Sequence, residues 1–395
     1  MKELSYRHTQ TACYLGYVSQ AIVNNLGPLL FLTFQRQFDI SVARLALLTS
    51  LNFGTQLLVD LAAARFVDRI GYRTAAVSAG LFCGVGLFTM GILPFVLPVP
   101  YWGLLIAVII NALGGGLLEV IISPIVEALP TSNKSAAMSL LHSFYCWGFV
   151  AVVLLSSAYF GFVGIEHWRY LPMLWALLPL GNALLFTRVP LWRLVEDSTA
   201  VVPLHTLFSK KIFLIFLLLM VCAGATEQAL CQWASFFAEA GLKVSKTMGD
   251  LLGPCTFAAL MGLSRVYFGF QKETMRIKRI LLIAAVLCAI SYLITVFSPF
   301  PLLSLGGCAL CGLSVGVLWP GIFSMTSRVF PQGGTAMFAI LALAGDAGCA
   351  LGPGVVGLVM GETTLNSGLL LATLFPLLLA AGISRIRQNI RDPNC

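Results

Sequence analysis

The sequence predicts an all-α membrane protein of twelve transmembrane helices in two six-helix bundles with pseudo-two-fold symmetry. Three observations predict it. Hydrophobic residues make up 58% of the 395-residue chain and charged residues only 10%, whereas soluble domains carry about 25% charge. Apolar runs of the length a bilayer requires, about 20 residues each, follow one another almost end to end. The longest polar segment between them, "RVPLWRLVEDSTAVVPLHTLFSKK" (188–211), falls near mid-chain with six runs on either side.

Charged or Pro/Gly-rich breaks divide the chain into candidate helices at 11–34, 45–64, 74–96, 101–128, 135–161, 168–189, 211–238, 249–270, 279–298, 301–327, 334–359 and 365–384. The polar start, "MKELSYRHTQ", is unlike a signal peptide and no clear cleavage site follows it, so the first run is taken as a span. An even count puts both termini on one side. Nineteen of the 24 Lys and Arg residues then fall on that side, leaving Arg36, Arg44, Arg169, Lys243 and Lys246 opposite. Basic residues collect on the cytoplasmic face, so both termini are expected there. The net charge of +8 becomes a topology signal, and nucleic acid is not an expected partner. The domains expected are a bundle over 1–189, a cytoplasmic loop over 190–210 and a second bundle over 211–395. Two such halves with a site at their interface are a plan of secondary transporters.

Enzyme chemistry finds little support. The eleven cysteines are scattered and mostly apolar in context, unlike a disulfide framework. Cys308 and Cys311 form a CxxC inside an apolar helix without a second ligand pair, so no metal or cofactor is expected. Gly312-Leu-Ser314-Val-Gly316 spells a nucleophile elbow, but that motif needs a strand–turn–helix setting. Asn133-Lys-Ser135 is a glycosylation triplet on an expected cytoplasmic loop, where it would go unused.

At "ARFVDRIGYR" (64–73) a signature emerges. It resembles the loop 2–3 motif of the major facilitator superfamily, with Asp68, Arg69, Gly71 and Arg73 matching and Ala64 where Gly is usual. A tight Gly turn would present a carboxylate and guanidinium groups at a helix end, able to latch one conformation. Further segments are similar to the fucose-permease-like branch: "NNLGPLLFLTFQRQFDIS", "LLEVIISPIVEALP", "SLLHSFYCWG" and "AGATEQALCQW". One departure is that fucose permease carries an aspartate shortly after the Asn pair, where this chain reads Gly27-Pro28. The resemblance implies alternating access, proton coupling and a monomer in a bacterial inner membrane.

Polar side chains inside the spans supply the candidate site. Asn111, Gly115, Glu119 and Ser123 recur every four residues, hence along one helix face. An ionised Glu119 costs several kcal/mol in hydrocarbon. Low-dielectric surroundings disfavour a carboxyl group's charged form, so its protonation can be tied to wetting of a cavity. Glu119 is the expected coupling residue, with a structural ion pair as its competing role. Glu227 comes second, expected to bind substrate hydroxyls or to share the coupling, with structural hydrogen bonding as its competing role. Tyr17, Gln20 and Asn24 share a face of span 1, with Asn25 adjacent, and amides suit a neutral polyhydroxylated solute. Gln228 and Trp233 on span 7, His142 and Tyr145 on span 5, and Trp319 complete the expected binding residues; Trp147 is a further ring able to stack on a sugar. Asp346, in "ALAGDAGCALGPGVVG", is placed with the gate because its Gly and Pro neighbours permit bending. Gly348, Gly352, Pro353 and Gly357 resemble the antiporter motif of drug exporters, although there it belongs to span 5.

The function expected is proton-coupled uptake of a small polar solute, a sugar or sugar derivative, across the lipid bilayer. The alternatives are a proton-driven exporter of amphipathic compounds and a non-transporting membrane sensor on the same fold.

Overall fold

Hydrocarbon offers backbone amides and carbonyls no partners, so a chain crossing it folds into helices that close their own hydrogen bonds. The computed structural model obeys this throughout residues 4–130, 134–192, 204–270 and 277–386, which it describes. The first half contains α1 (Tyr6–Asn25), α2 (Phe31–Phe38), α3 (Val42–Ile70), α4 (Tyr72–Met90), the short α5 (Leu93–Val96), α6 (Pro100–Glu127), α7 (Lys134–Val163) and α8 (Tyr170–Arg188). After the short α9 (Leu204–Phe208), the second half contains α10 (Lys211–Cys231), α11 (Ala234–Phe236), α12 (Lys246–Asp250), α13 (Thr256–Phe270), α14 (Ile277–Phe297), α15 (Pro301–Val315), α16 (Leu318–Val329), α17 (Gly334–Glu362), α18 (Leu365–Ala372) and α19 (Leu374–Arg385).

Eleven helical segments among the described residues are long and apolar enough to cross a membrane. Their outward surfaces carry bare apolar side chains, with Phe162 92%, Leu184 70% and Leu58 66% exposed. Water would penalise such a surface and lipid does not. The chain is a multi-pass membrane protein. The first expected span, 11–34, differs from the other eleven. Pro28 interrupts it, leaving α1, a 3₁₀ turn at Pro28–Leu30 and then α2, and the buried Ser19, Gln20, Asn24 and Asn25 lower its apolarity. It packs against α6 and α7 nonetheless. Five other expected spans are also broken, the eighth by a π-turn over Leu251–Cys255 between α12 and α13. The third stops at Met90 and resumes as α5; the seventh stops at Cys231 and continues as α11 and a π-turn over Phe237–Gly241. The tenth is broken between α15 and α16, and the twelfth between α18 and α19.

Within the first half α4 packs on α6 and α8, and α3 on α6; within the second α10 packs on α17, and α15 on α13 and α14. Between the halves the main contacts are α3 with α17 and α7 with α13. Counting helices from the N-terminus puts the start of α3 and the end of α17 on the face away from the termini. There Ala43, Ala46 and Ser50 meet Ala350, Gly354, Gly357 and Gly361, small residues that let the backbones approach closely. Ser50 Oγ donates to the Ala350 carbonyl at 2.9 Å, and a Cβ on Gly354 would collide with that hydroxyl. Gly354→Leu is therefore expected to wedge the seam apart. An Ala46→Cys reporter, hidden in the wild type, should then label several-fold faster with a maleimide; unchanged labelling would contradict the seam's role in closure.

Candidate solute-binding site

Proline 28 shapes the first part of the site. In a helix the amide of residue 28 would bond to the carbonyl of Asn24, but proline has no N–H. The freed Asn24 carbonyl accepts instead from Gln232 Nε2 of the other bundle at 3.2 Å. The Asn24 side chain is equally committed. Its Oδ1 accepts from Asn52 Nδ2 at 3.0 Å and Gln56 Nε2 at 2.7 Å, while its Nδ2 donates to the Tyr145 hydroxyl at 3.5 Å. Asn25 Nδ2 donates to the same hydroxyl at 3.4 Å and to the Ala21 carbonyl at 2.9 Å.

From Gln232 the bonds continue through the second bundle. Gln232 Nε2 donates to Gln228 Oε1 at 3.0 Å, and Gln228 Nε2 to Glu227 Oε1 at 3.1 Å. Glu227 Oε2 pairs with the Arg265 guanidinium at 3.2 Å, and Arg265 also donates to Cys146 Sγ of the first bundle at 3.6 Å. A continuous buried network thus joins α3, α1, α10, α13 and α7, crossing between the bundles twice. Arg265, counted from the sequence among the basic residues of the terminal side, lies in α13 inside a span and pairs with Glu227. Glu227 consequently has the ion-pair partner that the sequence had not supplied.

Glu119 has different surroundings. Its Oε2 accepts from Gln20 Nε2 at 2.8 Å, and its side chain is only partly buried. One turn on, Ser123 Oγ meets the Tyr17 hydroxyl at 3.0 Å, and the Tyr17 ring lies 5.4 Å from that of His142, which is exposed. Gly115, one turn earlier, lies against the Gln56 amide. Asn111 does not continue this row of cleft contacts: it is 1% exposed and packs where α4 approaches at Gly86.

The tryptophans divide. Trp233 is fully buried, donating to the Pro353 carbonyl at 3.0 Å and packing on Phe31 and Phe236, so in this conformation it supports the site from behind. Trp319 is partly buried against Gly345, and its indole N–H is buried without a partner. Trp147 is 40% exposed.

A family model described as Major Facilitator Superfamily matches residues 13–353. The chain belongs to the major facilitator superfamily. The membrane protein MosC of Rhizobium meliloti is 23% identical over 268 residues, covering 67% of this chain but only 64% of MosC. The xylose transporter XylE from E. coli superposes with a TM-score of 0.78 at 12% identity over 96% of this chain and 98% of that one. The fucose:proton symporter of E. coli gives 0.66 at 14% identity over 95% and 97%. At such identities the solved structures share the fold, that of transporters rather than enzymes.

In this superfamily member the loop signature is part helix, part turn. Asp68 and Arg69 belong to the last turns of α3, and Gly71 has φ +83°, a left-handed conformation that favours glycine. Arg69 is exposed; the Asp68 side chain lies outside the described residues. Arg73 donates to the Phe186 and Val189 carbonyls at 2.7 and 2.8 Å, capping the end of α8 where a cation complements the helix dipole. Both partners are in its own bundle. The far face carries a charged cluster of which the sequence reading had placed only Lys246 on this side. Lys246 Nζ donates to the Leu29 carbonyl across the bundles at 2.6 Å and pairs with Glu239 at 3.1 Å and Asp250 at 3.0 Å. Asp250, fully buried, also accepts from Ser235 at 2.5 Å and from Ser157 of the first bundle at 3.5 Å. Lys246→Met should lower the melting temperature and loosen this face, read as faster labelling at Ala46→Cys; an unaltered melt would show the cluster to be dispensable.

Asn52, Gln56, Asp60 and Arg265 escaped the sequence reading. The first three recur every four residues on α3, the same spacing that marked Glu119, so the signal was present. Asp60 is partly buried with an unpartnered carboxyl oxygen, and Asp346 is 9% exposed with no hydrogen bond or ion pair among the described residues.

Proposed function

We propose that this protein is a proton-coupled transporter of a small polar solute, working by alternating access. The observation that carries the reading is the contrast between its two intramembrane glutamates. Glu227 is neutralised by Arg265, whereas Glu119 has only an amide partner and is partly exposed, free to gain and lose a proton as the cleft opens and closes. Gln20 bonds to it, and Asn24, Asn25, Gln228, Tyr145 and His142 supply donors and acceptors suited to hydroxyl-rich ligands once the bonds between the bundles part. The similarity to sugar transporters at the level of fold is in keeping with a sugar or sugar derivative.

The excess of Lys and Arg on the terminal side supports cytoplasmic termini, and moving Arg265 into the membrane leaves that excess intact. On this orientation the seam at Ser50 and the Lys246 cluster close the outer face, and the cleft beside Glu119 and His142 faces inward. A bacterial inner membrane, a monomeric working unit and two bundles joined by the loop at 190–210 complete the reading; residues 193–203 of that loop lie outside the described residues. Asp68, Arg69 and Arg73 would latch the inner face in the alternate conformation, with Arg73 exchanging its α8 carbonyls for a partner across the cleft. Uptake of a labelled sugar panel into cells expressing the protein tests the proposal. Accumulation of one solute that collapses with a protonophore supports it, and gradient-independent equilibration argues against coupling.

A further inference from the structure

The transporter reading leaves Asp60 and Asp346 without a task, and their placement is specific. Gln56 of α3 touches Gly115 of α6. Both helices run toward the terminal side, so one turn further on the same faces come Asp60 and Glu119. Across the cleft, Ala350 of α17 is bonded to Ser50. One turn toward the terminal side on that face of α17 stands Asp346. The three carboxyl groups lie within electrostatic reach of one another.

None of the three has a cation. Among the described residues no Lys or Arg bonds to Asp60, Glu119 or Asp346, and Arg265 is already held by Glu227 and Cys146. Asp346 is more than nine-tenths buried and accepts no hydrogen bond. Beside it, Gly345 lies against the Trp319 ring, whose N–H is likewise buried and unpartnered. Like charges gathered in a low-dielectric cleft repel, and a positive ligand relieves that repulsion. An aromatic ring near carboxylates suits an ammonium group. Among the described residues no cluster of His, Cys, Asp and Glu is spaced to hold a bare metal ion, which directs the inference to an organic cation.

We infer that Asp60, Asp346 and Trp319 bind the ammonium group of the transported solute, beside the proton-coupling Glu119, making the substrate an amine-bearing polar molecule. This rests on the transporter reading and narrows its substrate class. The test uses the purified full chain in detergent at pH 6.5 and follows Trp fluorescence with matched pairs: glucosamine against N-acetylglucosamine, and tyramine against its alcohol analogue tyrosol. In at least one pair the amine should bind about tenfold more tightly, and Asp346→Asn should bring the two within about twofold. Asp60→Asn serves as a second variant should Asp346→Asn fail to fold. Equal or tighter binding of the neutral members, or no binding of either amine, overturns the inference. Neutral solutes that drive proton flux would overturn it while leaving the transporter reading intact; an absence of flux with every solute would count against that reading itself.

Discussion

Glu119→Gln is expected to abolish solute-driven proton movement while sparing exchange of solute for solute. The substitution preserves shape and an oxygen able to accept from Gln20, which donates to Glu119 at 2.8 Å. It removes the one property coupling requires, a site that gains and loses a proton. In proteoliposomes proton flux should fall to background while counterflow persists near the wild-type rate. Proton flux that survives in the variant would place coupling elsewhere, with Asp60 or Asp346 the next groups to test. Loss of both activities would make Glu119 part of binding, as the acidic cluster also allows, and not a dedicated coupling group.

The second large effect belongs to Arg265. Removing one partner of a buried ion pair leaves the other charged and desolvated, at a cost of roughly 3–5 kcal/mol. Arg265 and Glu227 meet at 3.2 Å with side chains 19% and 6% exposed. Arg265→Gln should therefore lower stability by about that amount in a reversible denaturation in detergent. Glu227→Gln in the same chain should restore most of the loss, because the stranded carboxylate is gone. A double variant no more stable than Arg265→Gln alone would mean that the guanidinium acts through packing and its contact with Cys146.

How far the sequence reading reached depends on the range of the forces involved. Helix type and approximate position follow from local apolarity, because lipid imposes one backbone solution. Helix 101–128 was expected and Pro100–Glu127 is found. The breaks at Pro28 and Met90 were less legible, since a proline or glycine permits a bend whose form is decided by neighbouring helices; the break at Cys231 has no proline or glycine beside it to mark it. Glu119 stood out because a carboxylate in an apolar run is conspicuous by itself. Arg265 did not: near the end of its run it looks like a loop charge, and only the approach of α10 reveals its partner. The convergence of Asp60 with Asp346 links residues far apart in the chain, which no local pattern could bring together. The loop signature was read correctly as a turn at Gly71. Its Arg73, however, holds carbonyls of its own bundle in this conformation, while the face away from the termini is closed by Lys246 and the small-residue seam.

The most direct test of coupled transport is solute-driven proton entry into liposomes containing the purified protein and a trapped pH-sensitive dye. With no pre-set pH difference, adding an outward-facing excess of substrate should acidify the lumen, and a protonophore should prevent that acidification from being maintained. Solute that enters at the same rate with no change in lumenal pH would contradict proton coupling and leave a facilitator on the same fold.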